Sequence, residues 1–521
     1  MRRHAAALSP QQLVAAERRP VGGSDSRGGL SACVLYPNDY SAAMSSLAFQ
    51  TLYGLLESNA GFACARAFAP QPAGSDADAG CLILGTNGPL AGLDLIAVTT
   101  SYELDWLHLP RCLAAGGVAP LRRDRDAAAP FLLGGGPCFT ANPAPVLDLF
   151  DAVFVGEIEP ALPNLRRLHD IPRAQWREYL AERPGFLVPG ITTGPVRRVC
   201  LRDLSEFTTS TVVLTPHTEF SDSFVVELGR GCGRACSFCM AGALYRPLRH
   251  RAPEQILNAV EGALAHTDRI GLLSASVTDY PGLNELCAGL QRLRPLPSVS
   301  ASSMRADGDN RALYELLAAS GQRTVTFAPE TGTERLRTAV RKNLSDEQLR
   351  AGIAQAVAAG LHTIKLYFMI GLPGETEADR EAIPRLVESL DAQFPSCTWS
   401  VGVQPFVPKP HTCLERAGTP DIRTMREHLK AMDASLRSVP GVTAQAASAR
   451  WSAVQTALSR GGSRLGEAII EASLQGADFS ALRGLFAGAG HELDAMCAPM
   501  DADAARPWDI VEPTCADAVG D

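Results

Sequence analysis

Three cysteines, Cys232, Cys236 and Cys239, stand within eight positions of the glycine-rich run GRGCGRACSFCMAG (229–242). Three unliganded thiols are improbable in so short a loop, and thiolates ligate both zinc and iron–sulfur clusters. Structural zinc wants a fourth protein ligand. The nearest candidate is His250 in YRPLRHRAPE, where basic neighbours disfavour a cation. A cubane iron–sulfur cluster takes one thiolate per iron, so three cysteines leave one iron open to chelate a small molecule. The other eleven of the fourteen cysteines, among them Cys33, Cys64, Cys112, Cys287 and Cys397, are scattered singly. They read as small buried apolar side chains rather than a disulfide framework. Cys397 and Cys413 are the closest pair in the same region, and isolated thiols are the better reading of them.

The triplet needs a rigid strand to present it, and the pattern supplies one. SFVVELGRG reads as a strand ending in the glycine loop, followed by the helix PEQILNAVEGALAH and the strand RIGLLSAS. SVSASSMRA, TVTFAPETG, TIKLYFMIGLPGE and TWSVGVQPFVPKP continue the rhythm. Six or seven βα units over 216–425 predict a partial or complete parallel (β/α) barrel of the TIM type, whose chemistry collects at the C-terminal strand ends. Upstream, LSACVLYP, CLILG, LDLIAVTT, PFLLGGG and DAVFVGE read as short buried strands, and SAAMSSLAFQTLYGLLES as an amphipathic helix. They predict a Rossmann- or flavodoxin-like parallel-sheet α/β domain over 28–165. A connector (166–215) carries hints of strand in RRVCLRDL and TVVLTP, 426–521 reads as a helical C-terminal region with a frayed end, and 1–27 as a mobile, disordered leader.

Composition bounds the function. The chain has 521 residues, 46% hydrophobic and 20% charged, which fits two or three ordinary globular domains. A net charge of −8 gives no nucleic-acid footprint, so no nucleic-acid partner is expected. No apolar run reaches the ~18 residues of a membrane span. The opening residues lack the apolar core of a secretory signal, and a reducing, cytoplasmic setting is expected.

The Cys-x3-Cys-x2-Cys spacing, with Phe238 before the last cysteine, resembles the signature of the radical S-adenosylmethionine (radical SAM) superfamily. TFAPETGTERLR (326–337) and KLYFMIGLPGET (365–376) resemble later strands and loops of the same barrel. The resemblance implies a [4Fe-4S] cluster on Cys232, Cys236 and Cys239, with Phe238 beside it. It implies S-adenosylmethionine on the open iron and a reductant protein such as flavodoxin or ferredoxin. Reductive cleavage would then give a 5′-deoxyadenosyl radical. By the same resemblance Glu330 is a catalytic and cofactor-contacting residue, and the backbone at Ile370 and Gly371 meets the adenine. SASVTDY (274–280) stands where relatives carry a GGE-like stretch, with Ser276 and Asp279 as substitutes, and Arg305 is a partner for the methionyl carboxylate. Blander readings stand beside these. Glu330 can be a loop carboxylate or helix N-terminal acid, Arg305 half of a structural ion pair, Gly371 and Gly374 turn residues. Arg246, Arg249 and Arg251 could bind an anionic substrate, but solvated surface charge is the default.

LLGGGPCFTANP (132–143) followed by DAVFVGEIEP (151–160) resembles the cobalamin-binding-type N-terminal domains of some radical SAM proteins, and YPNDYSAAMSSLAFQTLYGLL the opening of an uncharacterised family of them. Gly134, Gly135 and Gly136 would let backbone approach a large flat ligand. The Asp-x-His-x-x-Gly motif is missing. His108 reads as a helix-face histidine, and Cys138 stands where a histidine often follows the glycines. A bound cobalamin would therefore have no histidine on its lower face. The rival is a domain that has lost the cofactor and serves as lid or scaffold. With cobalamin, the expected reaction is methylation of an unactivated carbon or of phosphorus. Without it, hydrogen abstraction leads to rearrangement, cross-linking or oxidation of a small molecule or peptide. An RNA-modifying enzyme and a zinc-stabilised binding protein are the remaining classes.

Overall fold

Burial on both faces shapes the first sheet. A computed structural model describes residues 8–20, 29–58, 60–69, 81–86, 88–302 and 304–516. Strands β1 (Ser31–Tyr36), β2 (Ala63–Phe68), β3 (Leu82–Leu84), β4 (Leu95–Thr99), β5 (Phe131–Gly135), β6 (Ala152–Phe154) and β7 (Phe186–Leu187) form one sheet. Its order is β3-β2-β1-β4-β5-β6-β7, parallel except at the two edge strands. Near-continuous apolar runs such as SACVLY need cover on each side. One side packs on the helix Leu47–Ser58 and on Leu165, Trp176 and Leu180. The expected single helix at 41–58 is two, Tyr40–Met44 and Leu47–Ser58, because Asp39 caps the first and the chain turns at Ser45.

The other side is covered by the far end of the chain. Val454, Leu458, Leu465, Ile469 and Phe486, from helices between 449 and 488, share a core with Ile96, Val98, Trp106 and Leu132. With the nearer helix Leu109–Ala115 in the same core, the C-terminal helices thus complete the second helical layer of the N-terminal sheet. The leader also needs correction over its described part. Ser9 caps the helix Pro10–Ala16, Leu13 is buried, and Glu17 pairs with buried Arg66 at 2.6 Å. The remaining leader residues, 1–7 and 21–27, and nearly all of the expected frayed end lie outside the described residues.

In the connector, β8 (Val196–Val199) is a strand, whereas TVVLTP makes only isolated bridges, Ser210 with Val226 beside it and Leu214 with Arg18. The second parallel array comprises β9 (Phe224–Glu227), the short antiparallel pair β10 (Gly229–Arg230) and β11 (Arg249–His250), then β12 (Arg269–Leu273), β13 (Ser298–Ala301), β14 (Thr324–Glu330), β15 (Thr363–Ile370), β16 (Thr398–Pro405) and β17 (Val442–Ala446). β9, β12 and β13 pair in parallel, as do β14 to β17, and a parallel bridge from Met304 to Phe327 joins the halves. Among the described residues β9 and β17 are not paired with each other, so this is a seven-stranded open barrel. β17 lies past residue 425, so the barrel extends into the segment expected to be purely helical. Along β15, Ile364, Leu366, Phe368 and Ile370 pack on the surrounding helices, and the alternate residues face the lumen.

The last strand, β18 (Val511–Ala516), returns to pair in parallel with β8. Cys200 and Cys515, 315 residues apart, form a disulfide there. These two cysteines were expected to be single thiols. Partners so distant in the chain meet only through the pairing of β8 with β18.

Candidate active site

The three cysteines follow β10, and close backbone crossings fix their loop. A Cβ on Gly229 would lie 2.5 Å from the Arg249 carbonyl oxygen, and one on Gly231 (φ +88°) 2.4 Å from that of Tyr245. Both positions require glycine. Cys232, Cys236 and Cys239 are half-buried. The Arg234 N–H donates to Cys232 Sγ at 3.4 Å, and the Cys239 N–H to the Cys236 carbonyl at 3.1 Å. The Ser237 N–H donates to Val340 at 2.9 Å, and Phe238 packs against Leu336, Val340, Leu372 and Phe406. Phe238 therefore anchors the loop between its second and third thiols.

Among the described residues no three His, Cys, Asp or Glu side chains converge closely enough to hold a metal ion. His250 lies against the Tyr280 ring. The donor set is three soft sulfurs on one half-exposed loop, which suits a cubane with an open iron better than a closed zinc tetrad.

Beside the loop stands a charged group. Glu330 ends β14 at φ +73°, a left-handed conformation uncommon for a non-glycine residue. Its carboxyl accepts from Lys342 Nζ at 2.9 Å. Burial pushes that carboxyl above its ordinary range, with the Lys342 ammonium and Arg305 acting the other way. Burial likewise raises the Cys236 thiol, and Lys342, Arg305 and Glu330 all act on it electrostatically. Hydrogen bonds link Glu330 to Lys342 and Lys342 to Arg305, and Cys236 lies within reach of their charge. Sequence reasoning missed Lys342. Nothing in the run VRKN (340–343) singles it out, and only the fold brings it against Glu330.

Arg305 bonds Asp307 through two nitrogens, at 2.7 and 3.1 Å, and the Lys342 carbonyl at 3.1 Å. Arg234, in the cluster loop, reaches Asp307 at 3.3 Å and Asp279 at 2.6 Å. The ends of β12 and β13 are therefore tied to the cysteine loop by ion pairs. Burial pushes the Asp279 carboxyl up, but hydrogen bonds from Arg234 and Ser276 outweigh it and hold it below its usual range. Ser276 is buried, its hydroxyl 3.4 Å from that of Thr278. At the end of β15, the Ile370 carbonyl accepts from the Phe406 N–H at 2.8 Å. The Gly371 N–H donates to Glu375 at 2.8 Å. Gly371 has φ +83°, and a Cβ on it would lie 2.5 Å from the Met425 methyl and 2.9 Å from Pro420, so backbone conformation and packing account for that glycine.

Arg249 and Arg251 are not solvated surface charges. Arg249 bonds Glu157 at 2.7 Å and Arg251 bonds Glu227 at 2.7 Å, all of them largely buried. Arg230 joins Glu157, Glu159 and Glu227 at 2.9, 2.5 and 2.9 Å. Glu157 and Glu159 come from the loop after β6, so this network clamps the first sheet to the first barrel strand. Arg246 alone of the three expected arginines is exposed.

Between those clamped parts lies a cavity of about 440 Å³. Val98, Leu133, Phe154 and Gly134–Gly136 line one wall, and Gly229, Gly231, Tyr245 and Leu273 the other. A Cβ on Gly135 would meet nothing nearer than the Phe154 carbonyl at 3.7 Å. Gly136 (φ +98°) would press 2.7 Å from Thr99 Oγ1, and Gly134 2.7 Å from the Phe139 ring. Neither His108 nor Cys138 is among the described residues lining it, and no histidine is.

An open parallel barrel with a thiol triplet after its first strand, capped by a glycine-edged sheet, defines a cofactor-dependent enzyme. Residues 48–189 match the family described as "Radical SAM proteins, N-terminal", and residues 226–387 match the "Radical SAM superfamily". The chain is 30% identical over 387 residues to the uncharacterized protein MJ0966 of Methanocaldococcus jannaschii, covering 73% of this chain and 78% of that protein. It belongs to the radical SAM superfamily, whose enzymes work with a [4Fe-4S] cluster and S-adenosylmethionine. Cytidylyl-2-hydroxyethylphosphonate methyltransferase of Streptomyces wedmorensis is 27% identical over 184 residues, 34% of each chain. The solved cobalamin-dependent S-adenosylmethionine radical enzyme OxsB, with aqua-cobalamin and S-adenosylmethionine bound, aligns at TM-score 0.46 and 12% identity, covering 70% of this chain and 52% of that one. No helix among the described residues is long and apolar enough to cross a membrane.

Proposed function

We propose that this radical SAM enzyme holds a corrinoid in the cavity between its first sheet and its barrel and methylates an unactivated carbon. The observation that carries the reading is the 440 Å³ cavity edged by Gly134–Gly136 on one side and by the glycines flanking the cysteine loop on the other. Its apolar walls and the side-chain-free edge at Gly135 suit a large flat ligand, which would face the loop that begins at Gly231. Cys232, Cys236 and Cys239 would hold the cluster. When bound, the cluster supplies one electron to S-adenosylmethionine and the corrinoid supplies a methyl group. The chain's own part is positioning. The clamp of Arg230, Arg249, Glu157 and Glu159 keeps the cavity wall against the loop, and Phe238 anchors the loop to the barrel. Lys342 keeps a proton donor beside the Glu330 carboxylate, a pair able to bind or pass a proton at Oε1. The methionyl part of the cosubstrate would lie among Ser276, Arg305 and Glu330, and its adenine against the backbone of Ile370 and Gly371. A small-molecule or peptide substrate, an electron-donor protein such as flavodoxin or ferredoxin, and a cytoplasmic setting complete the reading.

Anaerobic purification after growth with cobalamin tests it. About four irons per chain together with a corrinoid spectrum is expected, and Gly135→Leu should remove the corrinoid and leave the iron. Iron without corrinoid in the unaltered protein turns the reading to cobalamin-independent radical chemistry.

A further inference from the structure

The lumen of a closed parallel barrel is filled with packed side chains, but the inner face of β14 to β17 is open. Tyr367 lies at the centre of this half, on a strand paired along both edges, and is nevertheless 46% exposed. Its ring lies over Gly402, where a Cβ would come within 2.7 Å of it. The register places Gly402 opposite Tyr367 and Gln445 opposite Gly402, and Gln445 is exposed as well. One level down, on the same face, Lys365 is exposed and has no ion-pair partner among the described residues. One level up is Met369, opposite exposed Gln404. Phe368, between Tyr367 and Met369, pairs with Glu330, the carboxylate beside Cys236 and Lys342. A flat aromatic surface and a free ammonium therefore share one unfilled wall, continuous with the site at the barrel mouth.

We propose that this wall is the substrate seat and that it takes a small aromatic anion. The ring stacks on Tyr367 and the anionic group pairs with Lys365. Residues two apart on one strand face start about 7 Å from each other, so the ligand carries its carboxylate about that far from its ring. Gln404 and Gln445 supply amide hydrogen bonds at the ring's edge. This deepens the radical SAM reading and rests on it for the chemistry, not for the binding.

Calorimetric titration of the full-length protein with 3-(indol-3-yl)propionate tests the seat. Tyr367→Leu, which still covers Gly402 but has no π face, should weaken binding about tenfold, from a stacking contribution of about 1.5 kcal/mol. Tyr367→Phe should stay within about twofold of the unaltered protein. Lys365→Gln should weaken the propionate and abolish its salt dependence while sparing 3-methylindole, which has no anion. Unaltered binding in Tyr367→Leu or Lys365→Gln overturns the proposal. So does loss of binding in Gly135→Leu, which would put the probe in the other cavity. A wild-type protein that binds aromatic peptides but not the free propionate also overturns it. Release of 5′-deoxyadenosine by the unaltered protein under dithionite, without probe, is scored separately and judges the radical reading alone.

Discussion

Replacing Arg230 with Met should release the clamp between the domains, and its partners set the cost. The guanidinium bonds Glu157 at 2.9 Å, Glu159 at 2.5 and 3.1 Å, Glu227 at 2.9 and 3.1 Å and Thr209 at 3.0 Å, with its side chain 11% exposed. Glu157 would keep Arg249 and Glu227 would keep Arg251. Glu159, its side chain 1% exposed, has no other ion-pair partner among the described residues and would be left as a buried lone carboxylate. Breaking a buried pair from one side costs about 3–5 kcal/mol. The nearby arginines still screen the orphan, which places Arg230→Met near the lower end. Glu159→Gln alone keeps an acceptor for Arg230 and should cost about 1 kcal/mol. Adding Glu159→Gln to Arg230→Met removes the orphan charge and should recover about 1–2 kcal/mol. Urea unfolding of anaerobically prepared protein, followed in parallel by tryptophan fluorescence and circular dichroism, measures each variant, with coincidence of the two probes licensing the free energies. Iron per chain should fall as well, because Arg230 precedes Cys232 by only two residues. A cost below about 1 kcal/mol, or strict additivity in the double variant, refutes the reasoning.

Asp105 makes stability depend on pH. Burial pushes its carboxyl up to about 6, against hydrogen bonds from Asn38 and Tyr36. Between the unfolded value of about 4 and that figure the folded protein binds more protons, so stability falls as pH rises through this window and levels off above it. Asp105→Asn, which mimics the protonated acid, should flatten that part of a melting-temperature profile, and an unchanged slope assigns the effect to other groups. Glu330→Gln should slow substrate turnover more than tenfold with cluster content intact, whereas unaltered kinetics reduce Glu330 to a partner of Lys342. Cys236→Ala should abolish the cluster's visible absorbance and S-adenosylmethionine cleavage together, and cleavage at the original rate is incompatible with the cluster assignment.

The amino-acid order determined a good deal by itself, and the reason is locality. A strand that alternates buried and lumen-facing residues, a glycine pair that allows a tight crossing, and a thiol triplet spaced along one loop are short-range features. β9, β12, β14, β15 and the cysteine loop were legible for that reason. What only the tertiary structure decided is long-range. The helices near 449–488 join Leu109, Leu113 and Val146 in covering a sheet that begins at residue 31, because its apolar face is wider than the nearer segments span. Arg249 and Arg251 look like surface charges until Glu157 and Glu227 are brought against them. Cys200 finds Cys515 only because β18 returns to β8. Lys342 joins Glu330 and Cys236 because three separate loops end at one barrel mouth. Burial and charge pairing depend on which surfaces meet, and one-dimensional spacing carries no record of that.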